Sequence, residues 1–355
     1  VPEPRDHSRR PADWRPEGPW EGWVECRCGS RHWGRNGAAG LLILRPGAGP
    51  SAHPHDGDHP VRTAPATHPE GPGHRDQPDL PVHSIQGHSH GDAPAHTRSA
   101  VGPPAVLLQH RATWTHFGGT WGVPGGAIHP DESAWAGAVR EASEEAGVTA
   151  TSVAPLATSV FTHPDWSYTT VLARAVGPLT ARPTDAESAA IEWVDLAAVP
   201  DLPLLPAFAD AWPMLRTMLS QQPALVVDAA NVVGSRPDGW WKDRAGATRR
   251  LLTRLDMLAA DGVPADLLGL PGHTWWPEVV LVTEGAARAV APEESASVRI
   301  VPASGDGDSA IVAEVDALVG AGRAPVTVVT ADRGLIERVT AAGARHVGPR
   351  SIVGT

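Results

Sequence analysis

Apolar residues gather in short runs separated by turn-forming stretches. Segments 38–44 (AAGLLIL) and 105–110 (AVLLQH) read as two paired strands, and 161–173 (FTHPDWSYTTVLA) and 190–194 (AIEWV) as further strands. Residues 134–146 combine strong helix formers with no interior proline, and a second helix is predicted near 206–219. Beyond residue 223 the pattern changes to regular alternation. ALVVDAAN is followed by a helix near 245–260, then EVVLVTEG, VRIVPA, a helix near 309–318, VTVVTADRG, a last helix and ARHVG. Strands alternating with helices imply a parallel sheet, so this half reads as α/β.

Polar positions sharpen this outline. On the helix at 134–146, with Asp131 or Ser133 as its N-cap and Gly147 ending it, Glu141, Glu144 and Glu145 fall on one face. Arg140 reaches Glu144 at i+4. Three carboxylates on one side repel unless a cation lies among them, and oxygen ligands without His or Cys favour Mg2+ or Mn2+. A solvated acidic face with one ion pair is the other meaning of such a run.

The segment GAIHPDESAWAGAVREASEEAGV at 126–148 resembles the signature of the Nudix hydrolases, G-x5-E-x7-R-E-U-x-E-E-x-G-U, at every charged and glycine position. Only Ala142 is smaller than usual. The resemblance, of the MutT type, implies an α/β/α sandwich with a mixed sheet, spanning about 36–220. It implies cleavage of a nucleoside diphosphate linked to a further moiety, with 8-oxo-dGTP as one candidate. Glu141, Glu144, Glu145 and the Gly126 carbonyl match the family's metal ligands. Glu132 matches a residue that supports the metal site, and Arg140 one that orients the glutamates. The general base often lies on a later loop, where Glu187 is the candidate. Trp114, Trp121, Trp166 and Tyr168 are candidates for stacking on a base, though residues of this kind are more often core than platform.

In the second half, Asp228, Glu284, Asp306, Asp308 and Asp332 lie at strand ends, where open α/β sheets bind ligands. VVDAANVV with Asp228 and Asn231, GDSAI with Asp308 and TADRGL with Asp332 resemble the PIN and NYN-like nuclease domains. A smaller PIN-like α/β domain with a mainly parallel sheet is expected at 223–355, with Asp228, Asp308 and Asp332 as metal ligands and RNA as substrate. Lys242, Arg244, Arg249, Arg250 and Arg254 form a basic segment for phosphate contacts or an ordinary solvated helix face. The alternative for the whole protein is a nucleotide-sensing or RNA-binding regulator in which one or both domains are non-catalytic.

Composition bounds the rest. The chain of 355 residues is long enough for about two domains, and 41% hydrophobic content supports their cores. A net charge of -11 indicates no global attraction to nucleic acid or anionic membrane. No apolar run approaches the length of a membrane span, and the N-terminus lacks a signal-peptide core, so a cytoplasmic protein is expected. Residues 1–35 are polar and Trp-rich. Cys26, Cys28 and His32 there offer three metal ligands with no fourth apparent nearby, and read as a packed turn. Between the first two long strands, about 47–104 is rich in Pro, Gly, Asp and His, including His53, His55, His88 and His90. That stretch is expected to be a disordered insertion. Oligomeric state is not encoded in any pattern found.

Overall fold

The computed structural model describes residues 18–47, 102–236 and 239–353. The insertion expected at about 47–104 lies almost wholly outside the described residues, as does the first half of the polar segment 1–35. Strands β1 (Trp23–Glu25) and β2 (Arg31–Trp33) form an antiparallel hairpin. There follow β3 (Ala38–Arg45), β4 (Ala105–Arg111), β5 (Trp121–Gly122), β6 (Gly125–Ala127), α1 (Ala134–Ala146), β7 (Val153–Thr162), β8 (Ser167–Ala175), β9 (Ser188–Asp195) and α2 (Pro206–Leu219). The second half runs β10 (Ala224–Asp228), α3 (Ala229–Gly234), α4 (Arg244–Asp261), β11 (Val263–Pro264), α5 (Ala265–Leu268), β12 (Thr274–Trp275), β13 (Glu278–Thr283) and β14 (Val298–Pro302). It ends with α6 (Gly307–Gly320), β15 (Val326–Val329), α7 (Arg333–Ala341), β16 (Arg345–Val347) and α8 (Arg350–Val353).

The first half builds a mixed sheet. Its order is β11-β12-β7-β8-β3-β4-β5, with β6 also on β3 and β9 also on β4. β3 runs parallel to β8 over Ala38–Leu44 and meets β4 only at Leu44↔Val106 and Arg45↔Ala105. The two strands read from sequence as a pair do pair, antiparallel, at one end only. The run at 161–173 is not one strand: it holds the end of β7, a turn at 163–166 and the start of β8. Pro164 and Asp165 mark that turn.

Alternation along β3 separates two cores. Leu41 and Ile43 face Ala138, Val139, Ala142 and Ala146 of α1, all buried. The small side chain of Ala142, fully buried, lets α1 lie close on the sheet. Leu42 and Leu44 point the other way, into a cluster with Phe208, Trp212, Leu215 and Met218 of α2. That cluster continues without a break to Leu225, Val227, Leu255, Trp275 and Leu281. The two halves thus share apolar packing.

The second sheet is parallel throughout, in the order β14-β13-β10-β15-β16. Its first strand, β10, is central, and the chain moves outward on one side through β13 and β14, then on the other through β15 and β16. The order reverses between β10 and β15, so the crevice favoured for ligands in such sheets opens at the carboxyl ends of those two strands. Residues 263–275 leave this half altogether. β12 pairs antiparallel with β7, and β11 with β12, extending the first sheet at its edge.

Candidate active site

The loop from β6 into α1 brings backbone and carboxylates together. Gly125 lies so close to β3 that a side chain there would strike the Ala39 carbonyl. A Cβ on Gly126 would come 2.5 Å from Oε1 of Glu141, so this carboxylate rests on bare backbone. Asp131 adopts a positive φ of 62° to turn the chain, and Ser133 caps α1 by accepting from the Ala136 N–H at 3.1 Å. Gly147, at φ 68°, ends the helix with its N–H on the Ala142 and Ser143 carbonyls.

Arg140 organises the acids. Its Nε and Nη2 donate to the two oxygens of Glu132, Nη1 to Glu141 at 2.9 Å and to Glu144 at 3.1 Å, and Nη2 to the Ala127 carbonyl at 2.8 Å. Glu132 also accepts from the His129 N–H at 2.9 Å. Burial pushes the Glu132 carboxyl up, but the Arg140 and His129 hydrogen bonds outweigh it and hold it below the ordinary value. Burial pulls Arg140 the opposite way, downward, and Glu132 and Glu141 outweigh it, so the guanidinium stays charged.

Glu141 and Glu145 are different. Burial first, then the neighbouring carboxylate, raises Glu141 to about 7, although Arg140 pulls the other way. Burial and the charge on Glu141 raise Glu145 to about 8. Glu145 accepts from the Gly125 N–H at 2.8 Å, while Glu144 is 44% exposed at its side chain. Two buried acids with too little compensating charge suit a hard divalent cation, and their donor atoms are all oxygen.

One neighbour escaped the sequence reading. Gln109 of β4 is fully buried, donates to Ser188 Oγ at 2.9 Å, and counters the upward shift of Glu145 by hydrogen bonding. A polar residue inside the apolar run AVLLQH was the only signal for it. Glu187 immediately precedes Ser188, half-buried, its carbonyl accepting from the Ala112 N–H at 2.8 Å. The adjoining Thr184 bonds the carbonyls of Glu144 and, through its N–H, Glu145, so this loop closes over the end of α1.

The NUDIX domain model matches residues 97–218. A protein of Mycobacterium tuberculosis named "Putative 8-oxo-dGTP diphosphatase 3" is 38% identical over 208 residues, which cover 56% of this chain and 70% of that protein. The chain belongs to the Nudix family. It is a Nudix hydrolase, a pyrophosphohydrolase acting on acid anhydrides. A divalent metal is typical of Nudix enzymes, and a nucleotide substrate is implied. A "Nucleoside triphosphate pyrophosphatase/Nudix hydrolase fusion protein" of Bifidobacterium longum is 34% identical over 205 residues, 57% of this chain and 32% of that protein. The crystal structure of a Nudix hydrolase from M. smegmatis, RenU, is 35% identical and covers 56% of this chain and 94% of its own, with a TM-score of 0.39.

The candidate stacking residues of the Nudix half sit in different surroundings. Trp121 lies flat on His110 with ring centroids 4.7 Å apart, Trp166 donates to the Trp33 carbonyl at 2.9 Å, and burial raises the Tyr168 phenol well above its ordinary value. Trp114 is half-buried in the loop between β4 and β5.

The acids of the second half gather at one end of the parallel sheet. Asp228 and Asp332 cap α3 and α7, accepting from the Asn231 and Leu335 N–H groups. Thr330 donates to Asp228 at 3.0 Å across the reversal point, and Asn231 accepts from the Ala331 N–H at 2.8 Å. Glu284 accepts from the Gly307 N–H at 2.8 Å, and Asp306 caps α6. Burial, aided by Asp308 and Glu284, raises Asp228, and burial with Asp332 raises Asp308. Asp228, Glu284, Asp308 and Asp332 therefore feel one another. Of the basic segment, Arg249 pairs with Glu294 at 2.7 Å, Arg254 donates to the Ile352 carbonyl, and Arg244 lies over Trp240. Among the described residues, no helix is long and apolar enough to cross a membrane.

Proposed function

We propose that Glu141, Glu144 and Glu145, with the Gly126 carbonyl, hold Mg2+ or Mn2+, and that the enzyme cleaves a nucleoside triphosphate to the monophosphate and pyrophosphate. One observation carries this reading: two carboxylates of raised pKa side by side, Glu141 against the bare backbone of Gly126 and Glu145 on the Gly125 N–H. When bound, a divalent ion neutralises phosphoanhydride charge and activates water for attack. Arg140 and Glu132 keep the three glutamates aligned, so that their geometry is set before substrate arrives. Glu187 receives the proton of the attacking water. The relative named for 8-oxo-dGTP supports an oxidised purine triphosphate as substrate. The test is pyrophosphate release by the full chain from 8-oxo-dGTP, dGTP, ADP-ribose, dinucleoside polyphosphates and capped RNA, with Mg2+ and with Mn2+. Preference for 8-oxo-dGTP over dGTP is expected; equal rates would remove that substrate assignment.

For the second half, the gathering of Asp228, Glu284, Asp308 and Asp332 at the reversal of strand order supports a PIN-like, metal-dependent phosphodiesterase acting on RNA. Asp228, Asp308 and Asp332 are its ligands in this reading. We accordingly propose boundaries at 36–220 and 223–355, with 263–275 reaching across to the first sheet. Single-stranded RNA cleaved by the full chain and spared by Asp308→Asn is the expected outcome. Cleavage unchanged in that variant would refute it.

A further inference from the structure

The hairpin β1–β2 has strands of three residues each, too short to hold together in water without help. Its tip, Cys26-Arg27-Cys28-Gly29, is a closed turn: Gly29 donates to the Cys26 carbonyl at 2.9 Å and takes a positive φ of 86°. The turn leans on a second turn, between β7 and β8. Arg27 grips Asp165 at 2.7 Å and Pro164 at 3.2 Å, but with Arg27 76% exposed this pair adds little stability. Trp166 stacks on His32, centroids 4.5 Å apart and planes within 12°. What the two turns bring together is a set of ligands.

Sγ of Cys26, Sγ of Cys28, and one ring nitrogen each of His32 and His163 all lie within 4.8 Å of one another. Cys28 Sγ and His32 Nε2 are already 3.2 Å apart. Around tetrahedral zinc, with Zn–S near 2.3 Å and Zn–N near 2.1 Å, ligand atoms stand roughly 3.4–3.8 Å apart. Small side-chain movements close the observed set to that size. His163 is the fourth ligand missing from the local sequence, supplied by a turn far along the chain.

We propose that Cys26, Cys28, His32 and His163 form a closed tetrahedral site for a structural zinc ion. Two thiolates and two imidazoles select a borderline-soft ion, whereas the all-oxygen cluster on α1 selects a hard one, so one chain sorts two metals by ligand type. With all four positions filled by protein, this site leaves none for water or substrate. Its work is to pin the hairpin to the β7–β8 turn. The pinned hairpin sets Trp23 edge-on to His116 at 5.4 Å, and the segment leading into it sets Trp20 against His129 at 4.6 Å. Those two histidines belong to the loops before β5 and before α1, so zinc steadies one wall of the pyrophosphohydrolase site without entering its chemistry.

The test uses the full chain, reduced and stripped of metal, then titrated with Co2+. The chain has only two cysteines, so any thiolate-to-cobalt charge-transfer band reports this site and neither the glutamates nor the other histidines. A near-ultraviolet charge-transfer band with intense tetrahedral bands in the visible is expected, saturating at one ion per chain and erased by Zn2+. Cys28→Ser should roughly halve the charge-transfer intensity. His163→Ala, which keeps both thiolates, should weaken Zn2+ binding by more than the 10–100-fold typical of losing an outer-shell partner. No such band in the reduced wild-type chain, or a band and Zn2+ affinity that His163→Ala leaves unchanged, overturns the proposal. So does isolation of the chain with a Cys26–Cys28 disulfide that reductant opens without restoring metal binding.

Discussion

Glu132 and Arg140 meet side by side, Nε 3.1 Å from Oε1 and Nη2 3.1 Å from Oε2, and the same guanidinium reaches Glu141, Glu144 and the Ala127 carbonyl. A planar five-donor fork can serve all of these at once; an ammonium cannot. Arg140→Lys is therefore expected to lower stability by about 1.5–3 kcal/mol, from lost charge-assisted hydrogen bonds. The turnover number should fall with it. Urea unfolding at neutral pH, alongside steady-state pyrophosphate release, checks both; full activity in the lysine variant would show that the fork is dispensable.

Gly126→Ala places a methyl group 2.5 Å from Glu141 Oε1, against backbone that cannot retreat from β3. Glu141 must move. Activity is expected to drop by roughly 10–100-fold, the scale seen when a ligand's support is disturbed, with a near-native circular dichroism spectrum. An alanine variant of unchanged activity and Mg2+ dependence would mean that this approach plays no part.

Protonation of the buried pair gives a pH signature. Glu141 and Glu145 titrate at about 7 and about 8 in the folded, metal-free protein, against 4.5 when unperturbed. Between those limits the folded state holds more protons than the unfolded one, so stability is greatest at the acid end and is lost as pH rises through the folded values. A divalent ion needs both groups ionised. Thermal midpoints with chelator should fall from about pH 5 to about pH 8.5, and Mg2+ should raise the midpoint more at the alkaline end. A Mg2+ effect that is larger at acid pH contradicts this.

The helix carrying these acids was legible because every local signal agreed: caps at Ser133 and Gly147, helix formers between, and charges at a spacing that puts them on one face. The parallel sheet was legible for a similar reason, since strands buried on both faces read as continuous apolar runs. β7 escaped because Pro155 and small polar residues break its pattern, and β11 and β12 because two residues carry no period. Gln109 and His163 escaped on different grounds. Their partners are distant in sequence, and no local pattern encodes a contact between Ser188 and β4 or between His163 and the cysteine turn.

Trp275 ties the second half to the first. It is fully buried, pairs with Ala157 of β7, and donates its indole N–H to the Pro271 carbonyl at 2.8 Å. Trp275→Ala is expected to cost about 3–5 kcal/mol. Because both halves share its core, calorimetry should show one transition moving downward; a variant in which one of two separate transitions is untouched would show that the halves unfold independently.

Burial, with the nearby charges of Asp308 and Glu284, raises the Asp228 carboxyl above its ordinary value. Asp228→Asn removes that repulsion while an amide oxygen still accepts from the Asn231 N–H. The metal-free variant should melt higher than the wild type, and RNA cleavage by the full chain should disappear. A lower midpoint would mark Asp228 as a structural cap alone.

The central claim, that the carboxylates of α1 carry out pyrophosphate cleavage, is tested most directly at Glu144. Its side chain is 44% exposed, so Glu144→Gln can lose a ligand without loss of the fold. Steady-state pyrophosphate release from 8-oxo-dGTP and dGTP by the full chain, with Mg2+, should fall by roughly 100-fold or more in Glu144→Gln while the thermal midpoint stays within a few degrees. Release at the wild-type rate would contradict the account.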